Sequence, residues 1–165
     1  MIRKTVLLSI VGLVALGVGL IGNALATTPS LFTAETARGP LVDRPLDVNW
    51  HFGPENKVKL QTQGAVEIAA QRVVIQPGGT LGWHSHPGPT LVTILSGTMS
   101  FYHAEHCMEE IEYRQGQSFS NLPDEIHMAR NEGSVDLVIY ASYFVPAGAP
   151  LIRIDQPSPG VGCPE

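Results

Sequence analysis

Charged residues are few in this sequence, and basic residues are fewer than acidic ones. Of the 165 residues, 15% are charged, with 10 lysines and arginines against 15 aspartates and glutamates. Nucleic acids and anionic membrane surfaces are bound by basic patches, so the composition argues against both as partners. The acidic residues are scattered along the chain, which is typical of a solvated surface and not of an interaction tail.

Sustained helical periodicity is absent after the first 26 residues. Short apolar stretches instead recur at about the 8–12-residue spacing that predicts an all-β sandwich or barrel, with glycine and proline turns between them. The length suits one domain of ordinary size. Residues 137–145 are apolar on both alternating faces, so we expect a central strand that is buried on both sides.

A long apolar run is confined to the N-terminus. Two basic residues precede an uncharged stretch over 5–22, and Ala24 and Ala26 then stand where a signal peptidase reads small residues. This order predicts a secretory signal peptide over residues 1–26 and a periplasmic or secreted domain. An uncleaved membrane anchor is the alternative, because the run is nearly long enough to span a bilayer.

Cysteine is also scarce, with only Cys107 and Cys163 in the chain. Neither lies directly after the expected cleavage site, so nothing indicates a lipid anchor there. Export would bring both thiols into an oxidising compartment, where we expect them to pair and tie the C-terminus to the domain. For a loop of about 56 residues, the chain-entropy relation gives such a bond roughly 4 kcal/mol. Two free thiols are the alternative.

These features divide the chain into four segments. After the signal peptide, residues 27–56 form a proline-punctuated arm that we expect to run extended over the surface, with one short strand at 46–52. Residues 57–150 hold the β-barrel domain. Residues 151–165 form a C-terminal tail.

Histidines are the residues that point to a chemical role. His84 and His86 are separated by one residue, and in a strand such a pair projects from the same face. Two imidazoles on one face can share a metal ion, at roughly 2.0–2.1 Å from each nitrogen for zinc, but two ligands are too few. His127, at the start of another expected strand, is the best candidate for a third ligand. The three could also be ordinary strand residues without a shared ion.

The stretches around these histidines resemble the two sequence motifs of the cupin superfamily. The resemblance covers about residues 65–146, and the matching positions are Gly78, His84, His86, Thr90, Gly97, Gly116, His127 and Asn131. Leu122 and Asp124 depart from the second motif, which usually has a proline and a glycine there. The resemblance implies a double-stranded β-helix, a jelly-roll-like antiparallel barrel, whose interior holds one divalent metal ion on His84, His86 and His127.

The main departure from the family is Thr90, because cupins normally have a glutamate ligand at this position. A threonine hydroxyl is a short and poor neutral ligand, so the resemblance implies three neutral histidines with coordination positions open to water, oxygen or substrate. The metal centre then carries one more unit of positive charge than the usual site with a glutamate ligand, which favours an anionic or chelating ligand. Thr90 and Glu125 are candidates for contact with substrate or water. Glu125 could turn inward as a replacement ligand, although its turn position favours solvent.

The resemblance is specific for the fold and leaves three functions open. The first is a metal-dependent enzyme, a dioxygenase or an isomerase, that acts on a small oxygen-rich molecule. The second is a non-catalytic protein that binds a metal chelate or a small ligand, which the missing glutamate and the lack of a clear general base favour. The third is a barrel without a working site.

The metal and the partners are defined only by class. The divalent ion is iron, manganese, zinc or nickel, and its identity does not follow from the ligands, because raw affinity does not decide occupancy in the cell. The expected partner is a small molecule, with no nucleic acid and no membrane after signal cleavage. The resemblance also implies a homodimer, since cupins often pair through their sheets.

Overall fold

The structure is a computed structural model that describes residues 26–42 and 45–165. Apart from Ala26, the expected signal peptide lies outside the described residues. Within the described ranges, no helix is both long and apolar enough to cross a membrane.

The regular structure of the described chain is almost entirely β-strand. The strands are β1 (Ser30–Pro40), β2 (Asp47–Phe52), β3 (Asn56–Gln61), β4 (Val66–Thr80), β5 (His84–Ser85), β6 (Thr90–Ser96), β7 (Thr98–His103), β8 (Ile111–Arg114), β9 (Ser118–Asn121), β10 (His127–Arg130), β11 (Leu137–Pro146) and β12 (Ile154–Asp155). A short 3-10 turn, Ala104–His106, follows β7. Ten strands form one antiparallel sheet that curls into a nearly closed barrel, and β2 and β3 form a separate hairpin. The prediction of an all-β fold is confirmed.

Strands β4 and β11 lie at the centre of the sheet. They pair in antiparallel register, with Val73 opposite Ile139, and β11 pairs with β6 on its other side. Alternate residues of a strand point to opposite faces, so one face of each strand enters the barrel. The buried core contains Ala69, Val73, Ile75, Val92, Ile94, Met99, Phe101, Ala129, Leu137, Ile139, Ala141, Tyr143 and Val145.

The prediction for residues 137–145 is confirmed in one respect and wrong in another. β11 is central, but burial is complete only on its inward face. On the outward face, Tyr140 is 49% exposed, and Ser142 and Phe144 are half-buried. An antiparallel sheet commonly leaves one face to solvent, so apolar residues on that face do not prove burial.

The N-terminal region contains more β-structure than expected. β1 runs antiparallel along β4 for most of its length, and Arg38 and Glu67 form an ion pair across the two strands. β2 coincides with the expected strand at 46–52 and turns back as β3. The stretch 27–56 therefore joins the barrel sheet through β1, a strand that the proline-rich sequence did not indicate.

The C-terminal tail, residues 151–165, lies across the barrel end that carries β5. β12 pairs with β5, and further along the tail the carbonyl oxygen of Pro164 accepts a hydrogen bond from Trp83 Nε1 at 2.9 Å. Cys163 forms the expected disulfide with Cys107, and their Cα atoms are 5.1 Å apart. The tail is thus attached to the barrel both near its start and near its end.

Candidate metal centre

Three histidines from two distant segments come together inside the barrel. His84 lies on β5, His86 follows that strand, and His127 opens β10, where it pairs with His84 across the sheet. The three side chains are buried, and their ring centroids lie 4.4, 5.0 and 5.1 Å apart. One ligand nitrogen of each ring lies within 4.8 Å of the other two, so the rings could hold a single metal ion.

Two turns position these histidines. Gly88, in the turn after His86, packs so closely on Phe144 that an added Cβ would collide with its carbonyl oxygen. Asp124, where the family usually has glycine, has a φ of 59°, a left-handed conformation that aspartate tolerates better than most residues. Its backbone nitrogen donates to the carbonyl oxygen of His86 at 2.8 Å. The loop before His127 is thereby attached to the segment that carries the other two histidines.

Each imidazole bonds a backbone carbonyl through Nδ1. The accepting oxygens belong to Gly82, Ile152 and Glu125, at 2.8, 2.7 and 2.9 Å from Nδ1 of His84, His86 and His127 respectively. A carbonyl can only accept, so Nδ1 carries the proton and Nε2 keeps its lone pair. This is the tautomer that binds a metal through Nε2, with the second hydrogen bond holding the ring in place.

The three rings are also kept neutral. Burial lowers the pKa of His84 well below its ordinary value of 6.5, that of His86 to about 4 and that of His127 to about 3. The positive charge of Arg153 acts in the same direction on all three pKa values. Metal ligands must be deprotonated, so a neutral trio of imidazoles at neutral pH fits a divalent ion.

Two buried oxygen atoms beside the histidines lack a hydrogen-bond partner among the described residues. They are Thr90 Oγ1 and Asn121 Oδ1, and both residues line the histidine cavity. The Asn121 amide nitrogen lies 3.3 Å from Nε2 of His127. An unpaired buried oxygen costs roughly 1–3 kcal/mol. Water on a bound ion can donate to such oxygens, so the residues present fit a partly hydrated divalent ion.

Aromatic and aliphatic side chains close the cavity around the histidines. Phe101 stacks on His127 with ring centroids 5.1 Å apart, and the Tyr143 ring lies 4.9 Å from that of His86. The other apolar lining residues are Leu81, Val92, Met99, Phe119, Ala129, Ile139 and Ala141. The cavity has a volume of about 20 Å³, enough for about one water molecule. A larger ligand therefore needs movement of the tail or a loop to reach the histidines.

A larger apolar groove lies outside the barrel and apart from the histidines. Its volume is about 430 Å³, and it lies between β3 and the turn at residues 87–89. The described residues that line it include neither a charged residue nor a histidine. Its size suits a small ligand, but the titratable groups converge in the smaller cavity. We therefore assign the candidate site to the histidine cavity.

The carboxylate of Glu125 lies outside the histidine cluster. Its Oε1 is 2.7 Å from Nδ1 of His103, and its Oε2 accepts a hydrogen bond from the backbone nitrogen of Leu122 at 2.9 Å. The backbone carbonyl of Glu125 does reach the site, where it accepts the His127 proton. The structure thus brings Thr90 to the three histidines and holds the Glu125 side chain away from them.

Sequence reasoning missed three residues of the site. Asn121 ends β9 opposite Thr90, and Tyr143 lies on β11. These two reach the cavity through the pairing of distant strands, which no local pattern reveals. Arg153 lies in the tail, and its one signal in the sequence is that it is the only basic residue of that segment.

The fold and the histidine cluster define a small β-barrel protein with a buried site that could hold a metal. The family model described as Cupin domain matches residues 71–150. Residues 71–150 therefore form a cupin domain, which confirms the resemblance to the cupin superfamily seen in the sequence motifs.

Several solved structures are similar to this chain at low identity. A protein of unknown function from Streptococcus pyogenes is 18% identical, with 69% of this chain and 77% of that chain covered and a TM-score of 0.43. A Cupin 2 conserved barrel domain protein from Salinispora arenicola is 18% identical, with coverage of 48% and 64% and a TM-score of 0.43. A predicted oxalate decarboxylase from Thermotoga maritima is 23% identical, with coverage of 51% and 83% and a TM-score of 0.41. No curated protein matches the sequence.

Proposed function

We propose that the protein is an exported cupin that binds one divalent metal ion through His84, His86 and His127. In this proposal it acts on a small oxygen-rich molecule as a dioxygenase or an isomerase. The observation that supports it best is the buried trio of imidazoles, each with Nδ1 bonded to a backbone carbonyl. Three protein ligands leave a coordination position open, which is typical of catalytic and not of structural sites.

The surrounding residues have defined tasks in this proposal. When bound, a divalent ion supplies Lewis acidity that polarises a carbonyl or enol oxygen. The unpaired oxygens of Thr90 and Asn121 accept hydrogen bonds from a ligand or from water. Burial raises the pKa of Tyr143 to about 12, so its hydroxyl stays protonated and donates to Gln71 at 2.8 Å. Phe101 and the aliphatic wall exclude bulk water.

A non-catalytic function is the second candidate. Of the described residues that line the cavity, none is an aspartate or a glutamate, so no carboxylate is placed there as a general base. This observation favours a protein that binds a metal chelate or a small ligand without turnover.

Export and partners belong to the same proposal. The disulfide between Cys107 and Cys163 supports export to the periplasm or the medium, because structural disulfides persist in oxidising compartments. The partner is a small molecule. The exposed apolar side chains Leu91, Leu95 and Tyr140 on the outer face of the sheet support a homodimer.

Metal analysis of the protein purified after export tests the metal site. We expect about one ion per chain in the wild type and loss of the ion in His84→Ala. His51→Ala is the control and should retain the ion, since this histidine is exposed on the separate hairpin. Fewer than about 0.2 ion per chain in the wild type, unchanged in His84→Ala, would overturn metal binding.

Turnover separates the two candidate functions. One bound iron with oxygen uptake on a panel of catechols, diketones and flavonols would support the enzyme. One tightly held ion without turnover on that panel would support the binding protein. His127→Ala serves as the matched control for any activity, because it removes a ligand from β10 and leaves His84 and His86 in place.

A further inference from the structure

Arg153 is held over the histidine cluster by both of its neighbours in the tail. The carbonyl oxygen of Ile152 accepts a hydrogen bond from His86 Nδ1 at 2.7 Å. On the other side, Ile154 pairs with Ser85 where β12 meets β5. One neighbour thus bonds a histidine ring, and the other bonds the strand that carries the histidines. The position of Arg153 is therefore tied to the position of the site.

The guanidinium of Arg153 is largely buried and only partly paired. The side chain is 23% exposed, and Nε donates to Asp155 Oδ1 at 2.7 Å. Nη2 lies 2.6 Å from the same oxygen, so the pair is not the two-oxygen fork that arginine forms with a carboxylate at its best. Buried Nη2 has no partner in hydrogen-bond geometry in the described part of the chain. Donors of the guanidinium are therefore available to another acceptor.

The positive charge of Arg153 acts on groups from three strands of the barrel. Burial lowers the pKa of His84, His86 and His127 most, and the charge of Arg153 lowers these pKa values further. It also opposes the rise that burial causes in the pKa of Tyr143 on β11. These effects agree with the backbone contacts of the tail, which bring Arg153 near the cluster although it is not one of the residues that line the cavity.

A bound divalent ion leaves the centre with an excess of positive charge. The imidazoles and Thr90 are neutral, and none of the described residues lining the cavity is acidic. Two units from the ion and one from Arg153, less one from Asp155, leave about two positive units in a site of low dielectric. An anion bound beside the ion would balance this charge.

We propose that Arg153 is a specificity-determining residue that makes this centre select a small carboxylate over a neutral ligand of the same shape. The proposal rests on the metal binding proposed above. A guanidinium presents paired N–H donors that match the two oxygens of a carboxylate. Because the cavity measures about 20 Å³, a carboxylate reaches the ion only when the tail or a loop moves, and a small head group needs the least movement.

Removal of the positive charge of Arg153 should change the affinities for a carboxylate and for a divalent cation in opposite directions. In Arg153→Met, a carboxylate loses its partner and binds more weakly. A divalent cation binds more tightly, because the repulsion from the guanidinium is gone. A purely structural role of Arg153 would weaken both, since a loosened tail also frees the His86 ring that Ile152 holds.

The full-length, disulfide-bonded protein loaded with Co²⁺ provides the test, because the visible spectrum of the ion reports ligand exchange. We expect Arg153→Met to bind acetate about tenfold more weakly and Co²⁺ about threefold more tightly, with binding of acetamide unchanged. Arg153→Lys keeps the charge and should retain most of the acetate affinity. Arg114→Met is the control, since Arg114 is exposed and pairs with Glu112, and should behave like the wild type.

Several outcomes overturn the proposal. Wild-type acetate affinity in Arg153→Met would do so, and so would a joint loss of acetate and Co²⁺ affinity. If Arg153→Met does not fold, Asp155→Asn provides the test. This variant releases the guanidinium from its carboxylate partner and should tighten acetate binding. Unchanged or weaker acetate binding in Asp155→Asn would overturn the proposal. Failure of the wild type to bind Co²⁺ would overturn the metal centre itself and this inference with it.

Discussion

Thr90 and Asn121 lie opposite each other across β6 and β9, and each has a buried side-chain oxygen without a hydrogen-bond partner in the described ranges. Both residues line the cavity of the three histidines. Cupins usually have a glutamate at the position of Thr90. The pair therefore replaces a negatively charged ligand with two neutral oxygens, which makes this wall of the cavity polar but uncharged.

Replacement of Thr90 by valine should stabilise the metal-free protein. Valine has nearly the same shape and removes an unpaired hydroxyl, whose burial costs roughly 1–3 kcal/mol. We expect Thr90→Val to raise the free energy of unfolding in urea by about 1 kcal/mol. Thr93→Val is the control on the same strand and should show no gain, because the Thr93 hydroxyl bonds Ser118 at 2.8 Å. Equal stabilisation in both variants would contradict the role given to the unpaired oxygen.

Replacement of Thr90 by glutamate should restore the fourth ligand that the family usually has. A carboxylate beside three imidazoles adds negative charge next to the ion, so chelator competition should show about tenfold tighter metal binding. The same charge is costly when it is buried without a cation, and the metal-free variant should unfold at lower urea concentration than the wild type.

Thr90→Gln is the matched control for this change, since it has a similar size and no charge. It should show neither the tighter metal binding nor the full loss of metal-free stability. If Thr90→Glu binds metal no better than Thr90→Gln, the side chain at this position does not reach the ion.

The stability of the metal-free protein should fall in mild acid. Burial lowers the pKa of His86 to about 4 and that of His127 to about 3, whereas in the unfolded chain both have their ordinary value of 6.5. Between about pH 6.5 and pH 4 the unfolded state binds more protons, so the free energy of unfolding decreases as the pH falls through this window. Each such ring contributes up to about 1.4 kcal/mol per pH unit.

Urea unfolding at about pH 7.5 and about pH 5 measures this dependence. The variant His86→Gln should show a smaller decrease than the wild type, because one titrating ring is gone. His51→Gln should leave the decrease unchanged, since the exposed ring of His51 lies on the separate hairpin. An equal decrease in the free energy of unfolding in all three proteins would show that the buried histidines do not cause the loss of stability in acid.

The histidine cluster could be predicted because two of its members are close in the sequence and the third falls in a recognisable family motif. His84 and His86 share a face of a strand, and the second motif supplied His127. Asn121 and Arg153 could not be predicted in the same way. They reach the site through the registers of β9 on β6 and of β12 on β5, and such long-range pairings leave no periodic pattern in the chain.

β1 could not be predicted for a different physical reason. Almost every residue of Ser30–Pro40 is exposed, so the strand shows no alternation between buried and solvated positions. Its stability comes from backbone pairing with β4 and from cross-strand contacts such as Gln71 Nε2 with Thr36 Oγ1 at 2.8 Å. Sequence patterns report burial, and a strand held mainly by its backbone escapes them.

Removal of the disulfide should weaken the fold and the metal centre together. The bond between Cys107 and Cys163 closes a loop with a sequence separation of 56, and loss of such a bond from a small domain costs about 2–5 kcal/mol. The same tail supplies the Ile152 carbonyl that orients His86. We expect the double variant Cys107→Ser, Cys163→Ser to unfold at lower urea concentration and to transfer its metal to a chelator faster than the wild type.

Comparison with Thr36→Ala separates the two effects. This variant removes the hydrogen bond from Gln71 Nε2 to Thr36 Oγ1 at the β1–β4 pairing, away from the tail, and so reports how a modest loss of stability alone changes metal release. Because the tail contacts His86 directly, the double cysteine variant should release metal faster than its loss of stability would explain. If the double variant is less stable yet releases metal no faster than the wild type, the tail protects the fold and not the histidine centre.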